Sequence, residues 1–118
     1  MSSEFSEALS GTDEVTIGVT GRSTGRQISV PVWFVAENDK IYLVPIHGSE
    51  SDWYRNLVAS PRLQLTAEGA TVNGNATPVG DPARVRQVVD DFRAKYGSQQ
   101  VASYYPKTDA AVEVSVPA

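Results

Sequence analysis

Several short segments of this chain alternate apolar and polar residues, and turn residues separate each segment from the next. The first reads Val-Thr-Ile-Gly-Val-Thr from residue 15 to residue 20. A period of two places the apolar side chains on one face of a β-strand. The same reading, with apolar residues on both faces in some segments, predicts about six strands, at residues 15–20, 28–35, 40–46, 63–66, 70–79 and 111–116. The first three predict an antiparallel meander.

A short helix is predicted between the third and fourth strands. Ser51 or Asp52 can cap its first N–H groups, and Pro61 ends it. Residues about one turn apart share a face of a helix, so we expect one face to be buried. That face carries Trp53, Leu57 and Val58. The opposite side carries Arg55 and Asn56.

A second, longer helix is predicted over residues 82–96. Asp81 is a good N-cap, Pro82 suits the first turn, and Gly97 supplies the stop. Apolar residues at helical spacing form one stripe, made of Val85, Val88, Val89, Phe92 and Tyr96. Residues 98–105 follow as irregular chain or a short helical turn.

So many short strands with only two helices leave two architectures open. One is an antiparallel barrel that wraps on itself and so protects its edges. The other is an open sheet with a helix on one side. At 118 residues the chain predicts a single domain, 1–118, with residues 1–11 as a flexible segment.

Composition excludes several classes of function. No apolar run reaches the length of a membrane span, and the N-terminus has neither a basic start nor an apolar core, so we expect a cytoplasmic protein. The net charge of -4 argues against a general nucleic-acid surface. With no cysteine and His47 as the single histidine, no metal site is expected.

The basic turn, defined here as residues 21–26, reads Gly-Arg-Ser-Thr-Gly-Arg. It has two interpretations. It is either a solvated hairpin turn, with glycines for positive φ, or a nest of backbone N–H groups with two guanidinium forks that suits a phosphate or a polycarboxylate tail. Arg55 adds a third positive charge that can join the same patch.

Three blocks together resemble the deazaflavin-dependent nitroreductase family. They are the basic turn, the strand Val30-Pro31-Val32-Trp33-Phe34, and the helix from Ser51 to Pro61, which reads Ser-Asp-Trp-Tyr-Arg-Asn-Leu-Val-Ala-Ser-Pro. The resemblance implies a split β-barrel that binds coenzyme F-420. It also implies hydride transfer from the reduced deazaflavin to a quinone, a nitroaromatic or another electron-poor acceptor.

The resemblance also implies roles for particular residues. The basic turn would hold the phosphate and glutamyl tail, residues around the Pro31 strand and the end of the next strand would shelter the ring, and Tyr104 would line the substrate pocket as a candidate proton donor. The predicted cofactor-binding residues are Arg22, Ser23, Arg26, Pro31, Val32, Trp33, Pro45, Ile46, His47, Trp53 and Asn56.

Two alternatives keep the fold and change the function. One replaces the deazaflavin by FMN, whose short phosphate tail needs fewer positive charges. The other is a small-molecule or haem-type carrier, or a homodimeric module with no cofactor. Related split barrels often pair, so a homodimer is expected in either case.

Overall fold

The structure, a computed structural model, describes residues 3–37 and 39–116. These residues form seven strands, four α-helices and a 3-10 turn at Gly48–Glu50. The strands are β1 (Val15–Thr20), β2 (Gln27–Val32), β3 (Val35–Glu37), β4 (Lys40–Leu43), β5 (Arg62–Ala67), β6 (Ala70–Pro78) and β7 (Val112–Ser115). The helices are α1 (Ser3–Ser10), α2 (Asp52–Ala59), α3 (Pro82–Tyr96) and α4 (Ser98–Tyr104).

The seven strands form one antiparallel sheet in the order β2-β1-β5-β6-β7-β4-β3. Its two edges are β2 and β3, yet only Trp33 and Phe34 separate these strands in the chain. The three Cα steps across this link span at most about 11 Å. The sheet therefore curls until its edges come close together. The mainly β fold with a split antiparallel barrel, predicted from the sequence, is confirmed.

One predicted strand, residues 28–35, is in fact two strands. Helix α3 binds the backbone of Phe34, because the Tyr96 hydroxyl accepts a hydrogen bond from its N–H at 3.1 Å and Lys95 Nζ donates to its carbonyl oxygen at 2.8 Å. As in the predicted meander, β2 pairs with β1 and β3 pairs with β4. However, β2 and β3 lie at opposite edges of the sheet. Alternation could not reveal this break, since Val32 and Phe34 are both buried.

The predicted strand over residues 40–46 is shorter than expected. It ends at Leu43, two residues before Pro45, which has no N–H to give to a sheet. The chain then turns through Gly48, whose φ of 60° lies in the left-handed region. This early end moves Val44, Pro45 and Ile46 out of the sheet.

Two apolar cores lie on the two faces of the curled sheet. The inner core, inside the curl, includes Ile17, Leu65 and Val114. The outer core, on the face covered by α3 and α4, includes Val88 and Phe92 of α3. Strand β4 serves both cores, as its apolar residues on both faces predict. Ile41 and Leu43 enter the inner core, and Tyr42 enters the outer core together with Val44, the first residue after the strand.

The segment predicted to be flexible, residues 1–11, contains helix α1 over Ser3–Ser10. Phe5 and Leu9 are one turn apart and both are buried in the inner core. Two apolar residues are too few for a periodic signal, so contact with the barrel, and not local pattern, accounts for this helix.

The predicted helices α2 and α3 are confirmed. Asp81 Oδ1 accepts a hydrogen bond from Ala83 N–H at 3.0 Å, Pro82 begins α3, and Gly97, at a φ of 98°, ends it. The chain from residue 98 forms the short helix α4, which decides between the two predicted states of that segment.

Within residues 3–37 and 39–116, no helix combines the length and apolar character needed to cross a bilayer.

Candidate functional site

The basic turn is fastened to helix α2 through Arg22 and Asn56. Asn56 Oδ1 accepts hydrogen bonds from the Arg22 backbone N–H at 3.1 Å and from its guanidinium Nη1 at 2.7 Å. Asn56 is 4% exposed. The sequence predicted that this amide lies on the side of the helix opposite the buried face and forms a hydrogen bond to the cofactor. The structure buries it beneath the turn.

Arg22 makes further contacts with the first turn of α2. Nη1 lies 3.3 Å from the Asp52 carbonyl oxygen, and Nη2 lies 3.4 Å from its carboxylate. These bonds use three of the five guanidinium N–H groups, so two remain for a ligand. The Arg22–Asp52 ion pair is exposed and adds little stability by itself. Arg22 is therefore partly structural and partly available.

The other two arginines of the predicted patch are exposed. Arg26 closes the basic turn, since Gly21 N–H donates to its carbonyl oxygen at 2.8 Å. Arg55 follows Asp52 by three residues on α2, so it lies one helical turn from a residue that contacts Arg22. Within the described part of the chain, neither guanidinium group has a protein partner. The basic turn and α2, which are joined through Arg22 and Asn56, thus carry three arginines between them.

Most backbone N–H groups of the basic turn are used within the protein. Those of Gly21, Gly25 and Arg26 bond inside the turn, and that of Arg22 bonds Asn56. Among the residues that the structure describes, Ser23 and Thr24 keep N–H groups without a protein acceptor. The predicted anion nest is thus reduced to two donors beside the arginine side chains.

Trp33 lies in an aromatic cluster rather than on an open shelf. Its ring stacks on Tyr96 at a centroid distance of 4.3 Å and on Tyr104 at 4.6 Å, and Tyr105 meets its edge at 5.9 Å. Tyrosines of α3 and α4 therefore already occupy the stacking positions at this indole. Trp53 is 8% exposed and belongs to the inner core. Neither indole is free to cover a flat cofactor.

The remaining predicted residues near the strands divide by exposure. Pro31 is exposed on the edge strand β2, and Val32 beside it is buried. On α2, Leu57 is buried as expected, whereas Val58 is 56% exposed, which contradicts its predicted place on the buried face. Ser51 holds the N-cap position of α2 without capping, because its Oγ accepts a hydrogen bond from His47 N–H at 2.8 Å.

The loop after β4 is held by contacts of its own. Pro45 is buried, and His47 is exposed and bridges to Lys107 through the backbone. The Asp109 carboxylate accepts hydrogen bonds from Ser49 N–H at 3.0 Å and from Ser49 Oγ at 2.9 Å. Burial pushes the pKa of Asp109 up, but these hydrogen bonds and the charge of Lys107 outweigh it and lower the pKa.

The predicted proton donor, Tyr104, is 43% exposed at the end of α4. Its hydroxyl has no hydrogen-bond partner within the described ranges. Two neighbouring tyrosines are much less available. Burial raises the pKa of Tyr96 to about 12 and also raises the pKa of Tyr105. Tyr104 is thus the most exposed tyrosine of this cluster.

A cleft on the outside of the sheet contains none of the predicted site residues. Its volume is about 450 Å³, and it lies over β1, β2, β5 and β6. We call it the amide cleft after its polar lining, which consists of Thr20, Gln27, Arg62, Gln64, Asn73 and Asn75. The signal for it in the sequence was Asn73-Gly74-Asn75, an unusual run in the middle of a predicted strand.

The structure therefore brings some predicted residues together and separates others. Arg22, Ser23, Arg26 and Asn56 meet where the basic turn packs on α2. Trp33 and Tyr104 meet in the aromatic cluster. His47 belongs to the loop that binds Asp109. Among the described residues, no group of three or more acidic or histidine side chains is arranged to hold a metal ion.

Solved structures with the same fold have different descriptions. A proposed 5-nitroimidazole antibiotic resistance protein from Bacteroides thetaiotaomicron has a TM-score of 0.76 at 18% identity, over 100% of this chain and 81% of that chain. The haem storage protein HutZ from Vibrio cholerae has a TM-score of 0.75 at 15% identity, over 98% and 89%. An F-420-H2-dependent reductase has a TM-score of 0.67 at 20% identity, over 86% and 93%. At such identities the likeness shows the fold alone.

Sequence comparison gives a family and no functional description. No curated protein matches the sequence. The deazaflavin-dependent family stays a prediction. The model of DUF2255, described as uncharacterized proteins conserved in bacteria, matches residues 6–115. Because that match covers most of the chain, this protein belongs to the DUF2255 family.

Proposed function

We propose that this protein is an oxidoreductase that binds reduced coenzyme F-420 and delivers hydride to a quinone, a nitroaromatic or another electron-poor acceptor. The observation that carries the proposal is the bond between Arg22 and Asn56, which joins the basic turn to α2. This joint brings the basic turn, which carries Arg22 and Arg26, against the helix that carries Arg55. The F-420-H2-dependent reductase with the same fold supports the choice of cofactor.

The residues present fit the anionic part of such a cofactor. Arg26 and Arg55 are exposed cations, Arg22 keeps two N–H groups, and Ser23 and Thr24 keep their backbone donors. Charge-assisted hydrogen bonds of this kind suit phosphate and carboxylate oxygens. Local positive charge is compatible with the overall charge of -4, because binding depends on the field at the site.

The residues predicted to cover the ring do not fit it. Trp33 is stacked with two tyrosines, and Trp53 is part of the inner core. Pro45 is buried and has no N–H for the polar edge of a ring. We therefore assign the basic turn and α2 to the tail of the cofactor and assign no ring contact to either indole.

The chain's own contribution would be binding and the supply of a proton. The reduced deazaflavin, when bound, would supply the hydride. Reduction of a quinone takes one hydride and one proton, and Tyr104 is the residue proposed to donate that proton. Tyr104 is 43% exposed and its hydroxyl has no partner among the described residues, which leaves it open to a substrate, as a general acid requires.

Two other functions compete with this one. FMN has a short phosphate tail and needs fewer positive charges than F-420. The ion pair with Asp52 neutralises part of the charge of Arg22, which favours FMN. A carrier or a homodimeric module without a redox cofactor is favoured by the filled positions around Trp33, and the haem storage protein has the same fold. In each case a homodimer in the cytoplasm is proposed, with the exposed edge strand β2 as the surface for a second copy.

The enzymatic proposal is tested by anaerobic turnover. Reduced F-420 is mixed with the protein and menadione as a quinone acceptor, and the absorbance of oxidised F-420 is followed. Oxidation that depends on both protein and quinone supports the proposal. If the protein binds FMN but catalyses no oxidation of reduced F-420, the FMN alternative replaces it. If haem binds and neither flavin nor deazaflavin does, the carrier alternative replaces it.

A further inference from the structure

The amide cleft presents side-chain amides that the protein itself does not use. Gln64, Asn73 and Asn75 are exposed, and within the described part of the chain their amides have no protein hydrogen-bond partner. The Gln27 amide accepts only a long bond of 3.4 Å from Thr20 Oγ1. Four amides on three strands thus face one cleft, with Arg62 as its only positively charged lining residue in the described ranges.

The residues that build the cleft contradict the local preferences of a strand. Asn and Gly are depleted in strands, and Asn-Gly is a strong turn signal. Even so, β6 continues for nine residues through Asn73-Gly74-Asn75 and pairs with β5 and β7. Such local conflicts are expected at functional sites.

Packing explains the glycine and leaves the asparagines unexplained. A Cβ on Gly74 would lie 2.9 Å from Val114 Cγ1 and 3.1 Å from Leu65 Cδ1, so the inner core requires glycine there. Asn73 and Asn75 point to the opposite, exposed face, where packing makes no such demand. Hydrogen bonding to a ligand gives these two amides a role.

The cleft adjoins the basic turn. Thr20 and Gln27 pair with each other at the last rung of the β1–β2 hairpin, directly before and after the basic turn. Gln64 pairs with Asn73, and Arg62 pairs with Asn75, on the neighbouring strands. A ligand with its tail at the basic turn can therefore place its other end over the amides.

The chemistry of the cleft suits a planar imide. Each carboxamide carries both a donor and an acceptor in one plane. Flavins and deazaflavins share an imide edge, an N–H between two carbonyl groups, which carboxamides can pair with. We infer that the amide cleft binds the imide edge of the cofactor ring. The ring then lies on the outer face of the sheet, where neither Trp33 nor Trp53 covers it. This inference rests on the proposed function.

Two asparagine variants and a matched control test the inference. Oxidised F-420 and FMN are titrated into the wild type, Asn73→Ala, Asn75→Ala and Thr77→Ala, with the fluorescence of each cofactor as the signal. Thr77 is exposed on the same strand outside the cleft. We expect about ten-fold weaker binding in each asparagine variant, as for the loss of one hydrogen bond, and unchanged binding in Thr77→Ala. Circular dichroism confirms that each variant is folded.

A modified ligand gives a second measurement. FMN methylated at the imide nitrogen has lost the N–H, so it should bind weakly to the wild type and lose less in the asparagine variants. If F-420 or FMN binds and Arg26→Ala weakens it while Asn73→Ala and Asn75→Ala do not, the amide cleft is not the ring site and the proposed function stands. If the folded wild type binds neither cofactor, both the inference and the proposed function fail.

Discussion

Asn56 Oδ1 receives both the backbone N–H and the guanidinium of Arg22, at 3.1 and 2.7 Å. One buried amide oxygen thereby fixes the position of the basic turn and the direction of its first arginine. Helix α2 thus holds the basic turn in place. The basic turn covers the Asn56 side chain and supplies the hydrogen bonds that its buried oxygen needs.

We expect Asn56→Ala to destabilise the fold. The substitution leaves the Arg22 N–H without its acceptor and should lower the free energy of unfolding by about 2 kcal/mol. Urea unfolding measures this change. Val58→Ala on the same helix is the control, since Val58 is exposed and should change the free energy by less than about 0.5 kcal/mol. Equal effects of the two substitutions would show that Asn56 does not anchor the turn.

Gly48→Ala should be among the most damaging single changes in the chain. The φ of 60° is unfavourable for alanine, and the new Cβ would lie 1.9 Å from Asp109 Oδ1. The two effects together predict a loss of about 3 kcal/mol in the free energy of unfolding. Gly25→Ala separates them, because its φ is 71° with open space around it, and it should cost about 1 kcal/mol.

The collision in Gly48→Ala can be relieved from the other side. Asp109→Ala in the Gly48→Ala background should cost less than Asp109→Ala alone, because it removes the clashing carboxylate. Thermal unfolding of the four proteins in this cycle gives the coupling. Strict additivity would place the strain elsewhere in the loop.

Stability should fall at high pH because of Tyr96. An unfolded tyrosine ionises near 10, whereas burial raises the pKa of Tyr96 in the fold to about 12. The unfolded state therefore loses its proton first, so the stabilisation is complete below pH 10 and is lost as the pH rises towards 12. The difference in unfolding free energy between wild type and Tyr96→Phe should be constant up to pH 10 and then shrink. A difference that stays constant to pH 12 would contradict the raised pKa.

Tyr104→Phe tests the proposed proton donor. The phenyl ring keeps the stacking on Trp33 and removes only the hydroxyl, so binding should change little while turnover with reduced F-420 and menadione falls by about 100-fold. Tyr42→Phe, at a buried tyrosine of β4 that has no ring contact with Trp33 among the described residues, is the control and should leave turnover unchanged. Full activity of Tyr104→Phe would assign the proton to solvent.

Patterns within one element predicted much of the fold. Alternation identified the buried face of β1, the apolar residues on both sides of β4 predicted that it is buried on both faces, and Asp81, Pro82 and Gly97 set the ends of α3. The exceptions depend on contacts between distant residues. Phe34 breaks the second strand because Tyr96, 62 residues later, binds its backbone. Helix α1 forms because Phe5 and Leu9 reach the inner core.

In the candidate site, too, sequence patterns could not predict contacts between distant residues. Residue types predicted that Arg22 and Asn56 have polar roles, but only the fold shows that these roles are filled by each other. The tryptophans suggested a roof for a ring, yet the tyrosines that stack on Trp33 come from helices more than 60 residues away in the chain. Asn73 and Asn75 are unusual in a strand, but only the fold shows that they line a cleft with residues of β1, β2 and β5.

Titration of oxidised F-420 into wild type and Arg26→Ala tests the central claim most directly. The Arg26 side chain has no protein partner in the described ranges, so its removal should leave the fold intact. The account predicts quenching with micromolar affinity in the wild type and about ten-fold weaker binding in Arg26→Ala, with no change in Arg86→Ala on the exposed side of α3. A wild type that leaves the fluorescence of F-420 unchanged would contradict it.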